Sequence, residues 1–218
     1  MAFVKTYSAP PFDEKEALRY AGCAGEDADT RKLLDACVSE AAGVLSYKVC
    51  YLPVVPRSDG RRCKLGAFSA VSRDLSRLLD GCASAVIFAA TVGVGIDRLI
   101  AKYGAVSPAK ALMLDAVGTE RVEALCGVFC RDISNELDMR PTARFSPGYG
   151  DLDLSVQKEI FSALNCQKLI GLTLTDSLLM SPSKSVTAVF GLRGENGGGP
   201  SEKCAGCAGR ECPFRGEK

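Results

Sequence analysis

One long helical period in the second half limits what this 218-residue chain can become. Ser107-Pro108 opens it, with serine as N-cap and proline at the first helical position, where its missing N–H costs nothing. The pattern predicts a helix to about Met139, loosened at Gly118. Val122, Leu125, Phe129, Ile133 and Leu137 recur at helical spacing and form one apolar stripe, which belongs in a core. A neighbouring face carries Thr119, Glu120, Glu123, Gly127 and Cys130. The small residues there leave the Glu123 carboxylate approachable, although a solvated glutamate is the plainer reading.

The flanking segments read as both helix and strand. Residues 13–21 form a short helix after Pro10-Pro11, and 29–46 have the spacing of an amphipathic helix. Residues 49–55 read as a strand, Ser58-Asp59-Gly60 as a turn, and 63–68 as its returning partner. A short helix over 72–79 stops at Asp80-Gly81, and 85–91 is an apolar, β-rich central strand. That strand leads through Gly93-Val94-Gly95 into a helix over 96–103. The glycines look like half of a dinucleotide fingerprint, but Arg98 holds the third glycine place, so a tight strand-to-helix turn is expected. Residues 155–164 are helical, while 169–175 and 185–190 alternate and are expected as half-exposed antiparallel strands. Between them, Leu178, Leu179 and Met180 should pack onto the core, a ligand or a partner. The sum is an α+β fold with a curved, mainly antiparallel sheet flanked by helices over 1–193, then a Gly-rich linker (194–203) and a cysteine-rich tail (204–218).

Composition removes whole classes of function. The 27 basic and 26 acidic residues nearly cancel, with no basic stripe for nucleic acid and no polybasic run for a membrane surface. The apolar run 83–94 is too short to span a bilayer, and the first 15 residues lack a secretory pattern, so a cytoplasmic protein is expected. Histidine is absent, which excludes a self-contained Ser-His-Asp or Cys-His system and any histidine-ligated metal. Eight of the 11 cysteines are scattered through predicted elements and read as small buried hydrophobes. Cys204, Cys207 and Cys212 cluster in the tail, where Cys-x-x-Cys brings two thiolates to one ion. Zinc or an iron–sulfur cluster is the preferred reading there; a redox-active dithiol and an unstructured tail are the alternatives.

The connection Arg144-Phe145-Ser146-Pro147-Gly148-Tyr149-Gly150 has the ingredients of a ligand-binding turn. Pro147 fixes one φ, Gly148 lets a ligand lie against the main chain, and Arg144 offers a fork of donors suited to a carboxylate. A plain Pro-Gly turn with one solvated arginine is the bland alternative.

Taken with Arg121-Val-Glu-Ala124, the Gln157-Lys158 helix, Leu172-Thr-Leu-Thr-Asp-Ser177, Met180-Ser-Pro182 and Ser185-Val186, this turn resembles the activation domain of cobalamin-dependent methionine synthase, in its stand-alone form. The match is good over 85–192 and only general over 1–80. The resemblance implies binding of S-adenosylmethionine, whose methyl group, together with an electron, restores oxidised cobalamin. It implies that Arg144 pairs with the ligand carboxylate, that Ser146, Pro147, Gly148 and Tyr149 cradle it, and that Glu123 holds its ammonium, with Thr175 and Asp176 as further contacts. The cobalamin would arrive on a corrinoid protein or methyltransferase partner, and the electron from a separate donor. A binding or metal-sensing module without the ligand, and a methyltransferase acting on another acceptor, are the alternative functions. The chain departs from the family where a Pro-Ala-Cys-Pro-like run is replaced by Gly150-Asp-Leu-Asp153.

Overall fold

The computed structural model describes residues 1–23 and 27–194. In chain order these form β1 (Phe3–Tyr7), α1 (Glu14–Tyr20), α2 (Ala28–Ala42), β2 (Tyr47–Val54), β3 (Pro56–Ser58), β4 (Arg62–Leu65), β5 (Phe68–Val71) and α3 (Arg73–Leu79). There follow β6 (Ser84–Thr91), α4 (Gly95–Gly104), α5 (Pro108–Leu137), β7 (Arg140–Pro141), α6 (Val156–Leu164), α7 (Cys166–Ile170), β8 (Thr173–Leu174), β9 (Met180–Ser181) and β10 (Ser185–Arg193). The tail cysteines Cys204, Cys207 and Cys212 lie outside the described residues.

Five strands make a curled antiparallel sheet in the order β1-β2-β6-β10-β7. β6 sits at its centre, in register with β2 from Lys48↔Thr91 to Val54↔Ala85 and with β10 from Ser185↔Thr91 to Leu192↔Ser84. Its continuous apolar run follows from burial on both faces, because alternate side chains enter different cores. Val86, Phe88 and Ala90 join α1, α2, α4 and α5 on one side. Ala85, Ile87 and Ala89 join β4, β5, α3, α6 and α7 on the other.

The long predicted helix is α5, unbroken over 30 residues and about 45 Å long. Its expected stripe packs inward at Val122, Leu125, Phe129 and Ile133, whereas Leu137 is exposed at the last turn. The Phe129 ring lies 5.0 Å from Phe88 and 6.1 Å from Phe190, the latter edge-to-face. Gly118 does not loosen α5. A Cβ there would lie 2.9 Å from Lys184 Cγ and 3.1 Å from Ile96 Cγ1, so the missing side chain admits α4 and the Lys184 side chain just before β10. Further along α5, Asp132 accepts hydrogen bonds from Lys5 Nζ (2.8 Å) and Tyr7 Oη (2.6 Å), which fasten β1 at the sheet edge.

Gly93-Val94-Gly95 is the tight turn expected. Gly93 has φ +85°, a side chain there would strike Ser46 Oγ at 2.5 Å, and one on Gly95 would collide with the Val44 carbonyl. The expected strand over 169–175 starts late, because residues 166–170 are helical. Asn165 (φ +52°) ends α6 and Gly171 (φ +71°) ends α7, so the strand shrinks to Thr173–Leu174. β10 is buried on both faces instead of half-exposed, because β6 and β7 flank it and helices cover it. Met180 packs against the second core, while Leu179 is 66% exposed. Among the described residues no helix is long and apolar enough to cross a membrane.

Candidate functional site

Two main-chain ladders hold Arg144. Upstream, Thr142 donates its N–H to the Gly191 carbonyl (2.9 Å), and its hydroxyl accepts from the Gly191 N–H (2.8 Å). Downstream, Phe145 exchanges hydrogen bonds of 2.8 and 2.9 Å with Val189. Between these two clamps on β10, the arginine reaches α5, and its Nη2 donates to Glu123 Oε2 at 2.7 Å. The two candidate charges therefore meet as an ion pair, with 23% of the arginine side chain and 39% of the glutamate side chain exposed.

The turn beyond Arg144 closes on itself. Tyr149 N–H donates to Ser146 O (3.1 Å), Gly148 N–H to Leu152 O (2.9 Å) and Leu152 N–H to Tyr149 O (3.0 Å). Pro147 is buried beneath it, while Gly148 and Tyr149 are exposed. Gly148 has φ +90°, which glycine adopts freely and other residues avoid. Its bare main chain lies open to solvent in the same segment as Arg144.

The divergent flank has a structural task. Gly150 has φ +53°, and a Cβ there would lie 2.6 Å from Asp74 Oδ2 and 3.2 Å from Phe145 Cζ. The Asp151 carboxylate accepts from the Ser72 hydroxyl and from the N–H groups of Arg73 (2.8 Å) and Asp74 (3.3 Å). It thus ties the turn to the first residues of α3, and these donors, Ser72 first, hold its carboxyl below the usual range.

Sequence reasoning placed Cys130 on the Glu123 face but missed Cys126 and Tyr20 as neighbours of the pair. Cys126 and Cys130, one helical turn apart on α5, stand close enough to Arg144 to feel its charge. Burial pushes Cys130 up to about 12 and Cys126 further in the same direction, so both thiols stay neutral. Tyr20, at the end of α1, is also within electrostatic reach of Glu123 and Arg144; burial first, then Glu123, raises its phenol. Its helix is brought there by Glu120 and Arg121. Glu120 Oε1 accepts from Asp13 N–H (3.1 Å), while Arg121 donates to Glu120 and to the carbonyls of Pro10 (2.7 Å) and Pro11 (2.9 Å). Glu120 is therefore buried, not part of the approachable face expected for it. Nothing in the local sequence around Glu120 signals these partners, which lie more than a hundred residues upstream.

Thr175 and Asp176 occupy the exposed turn between β8 and β9. The Thr175 hydroxyl accepts from Leu179 N–H (3.0 Å) and meets Ser177 Oγ (3.0 Å), contacts that stay within that turn. The described residues contain no group of three or more cysteines and carboxylates able to hold a metal ion. Their eight cysteines are all free. The arrangement can offer one cation, one anion, open main chain and a phenol ring to a small ligand, which is what a zwitterion requires.

Comparison with known proteins agrees in sequence and in fold. The family described as vitamin B12 dependent methionine synthase, activation domain, matches residues 80–195, just over half of the chain. A solved structure described as the MetH reactivation domain bound to AdoHcy superposes with a TM-score of 0.70 at 15% identity, covering 91% of this chain and 80% of that one. At that identity the likeness is one of fold, and it extends over the N-terminal elements that the sequence match leaves out. No curated protein matches the chain by sequence. With Glu123, the Arg144 turn and the strand pair β6–β10 all inside the matched span, the chain belongs to the family of vitamin B12 dependent methionine synthase activation domains.

Proposed function

We propose that this chain is an accessory module that binds S-adenosylmethionine and takes part in the reductive remethylation of cobalamin held by a partner protein. The carrying observation is the Glu123–Arg144 ion pair, whose arginine opens the same turn as the exposed main chain of Gly148, within the family's matched residues. Arg144 would take the ligand carboxylate, Glu123 its ammonium, and the Ser146–Tyr149 main chain would lie alongside, with the Tyr149 ring as a wall. Thr175 and Asp176, in the β8–β9 turn, are the further candidate contacts. When bound, S-adenosylmethionine supplies an electrophilic methyl group; the residues named hold and orient it. With no histidine in the chain, a cobalt-ligating imidazole would have to come from the partner. The free thiols suit a reducing compartment, which supports a cytoplasmic setting.

Calorimetric titration with S-adenosylmethionine tests this reading, and saturable binding is expected. Arg144→Ala should weaken it at least tenfold, since a charge-assisted hydrogen bond contributes about 1.5–3 kcal/mol. No heat at millimolar ligand would overturn the assignment. Unchanged affinity in Arg144→Ala would move the site elsewhere.

A further inference from the structure

We infer that Asp115, Thr119 and Lys184 form a subsite for the two ribose hydroxyls of the ligand, at the end of the site remote from Arg144. The inference rests on the ligand assignment above and adds a recognition element for the nucleoside. Lys184, the residue before β10, lies over Gly118 of α5. Its Nζ stands 2.7 Å from Asp115 Oδ1 and donates to Thr119 Oγ1 at 3.1 Å. The Thr119 hydroxyl in turn donates to the Asp115 carbonyl (2.9 Å). The main chain around the lysine is held as well. Ser183 N–H donates to Asp97 Oδ2 (2.9 Å), and the Lys184 carbonyl accepts from Val92 N–H (3.2 Å).

Two directions in the fold converge on this cluster. Asp115, Thr119 and Glu123 stand at successive four-residue steps on α5, so Thr119 is about 6 Å and Asp115 about 12 Å from Glu123 along the helix. Phe145 pairs antiparallel with Val189, so the chain entering the Ser146–Gly148 turn runs beside β10 towards Lys184. Val186, Ala188 and Phe190 face the same side of the sheet as Lys184, the side that α5 covers. A ligand held at its amino-acid end by Arg144 and Glu123, and lying along Gly148, is therefore directed at Lys184. The chemistry there suits a diol, which both donates and accepts. Lys184 uses two of its three N–H donors and Asp115 one of its two oxygens, leaving a donor and an acceptor for the hydroxyls. Among the described residues neither side chain has a further polar partner. The Asp115 side chain is 50% exposed, so its second oxygen can be reached, whereas Lys184, at 14%, is fixed in place.

The test uses calorimetry with S-adenosylmethionine and with the analogue whose ribose lacks both hydroxyls. The wild type should bind the analogue about tenfold more weakly, as expected for losing charge-assisted hydrogen bonds. Asp115→Ala and Lys184→Met should each weaken S-adenosylmethionine about tenfold yet leave the affinity for the analogue unchanged, since the variant and the analogue remove the same contact. Equal wild-type affinities for the two ligands would overturn the inference while sparing the ligand assignment. An equal loss for both ligands in the variants would overturn it too, because a cluster that only tethers β10 to α5 acts on any ligand alike. Absence of wild-type binding to S-adenosylmethionine removes both readings. The wild-type comparison depends on no variant folding.

Discussion

At the scale of single residues, the site combines side chains whose roles differ in how local they are. Arg144, Pro147 and Gly148 could be picked out from their own dipeptides, because a fixed φ, a positive φ and a planar cation are properties of residue type. Glu123 became notable only through its small neighbours and the family likeness. The burial of Glu120 was not legible because the Asp13 N–H it accepts from, and the Pro10 and Pro11 carbonyls that take its neighbour Arg121, are remote in sequence. Asp151 is the clearest case. It was conspicuous as a departure from the family pattern, yet its partner Ser72 is 79 residues away. Asp151→Ala should destabilise the fold by about 1 kcal/mol at neutral pH, the usual worth of a carboxylate satisfying helix N-terminal N–H groups. The sign with pH is fixed. Because the folded carboxyl lies below its ordinary value, the contribution is present above about pH 4 and fades as pH falls and the group protonates. The gap between thermal melts of the two proteins should narrow as pH falls from 7 to 3; a gap that stays constant over that range would show that charge is not the cause.

Elements were legible where caps and periods agreed. Ser72, Ser107-Pro108 and Asp80-Gly81 marked helix ends within a residue or two of α3 and α5. The failures have physical causes. The alternation read over 169–175 fails at its start, because Asn165 and Gly171, both left-handed, enclose a short helix that takes in residues 169 and 170. β1 and β7 are short edge strands whose pairing depends on remote partners. The glycine pair before α4 was read correctly as a turn, and its geometry makes a forecast. Gly95→Ala places a methyl against the Val44 carbonyl, a main-chain atom that cannot swing away as a side-chain tip could. The expected loss is about 1–3 kcal/mol, the usual cost of overpacking, despite the higher helix propensity of alanine. Urea unfolding decides it, and an unchanged or raised midpoint would refute the contact.

For the molecule as a whole, α+β class and antiparallel pairing followed from the alternation of helical and strand periods, but strand order did not, since it depends on which distant strands meet. That order has a consequence for the matched span. Residues 80–195 contain β6, α4–α7 and β7–β10 but omit β2, which covers one edge of β6 over seven residue pairs. They also omit α1 and α2, which bury Val86, Phe88 and Ala90 together with α5. A fragment of residues 80–194 should therefore lack a cooperative thermal transition and associate through the bared β6 edge. A monomeric fragment with a sharp melt would show that the N-terminal elements are an accessory rather than half of the core.

The long helix also carries an implication for how such chains diverge. Along one rod, α5 presents Gly118 to Lys184, Glu120 and Arg121 to the N-terminal segment, Glu123 to Arg144, and Asp132 to β1. Each contact depends on angular phase, and one inserted residue turns everything after it by about 100°. Descent can therefore rewrite side chains between residues 118 and 132 but cannot lengthen or shorten that interval, and changes of length must collect in the loops.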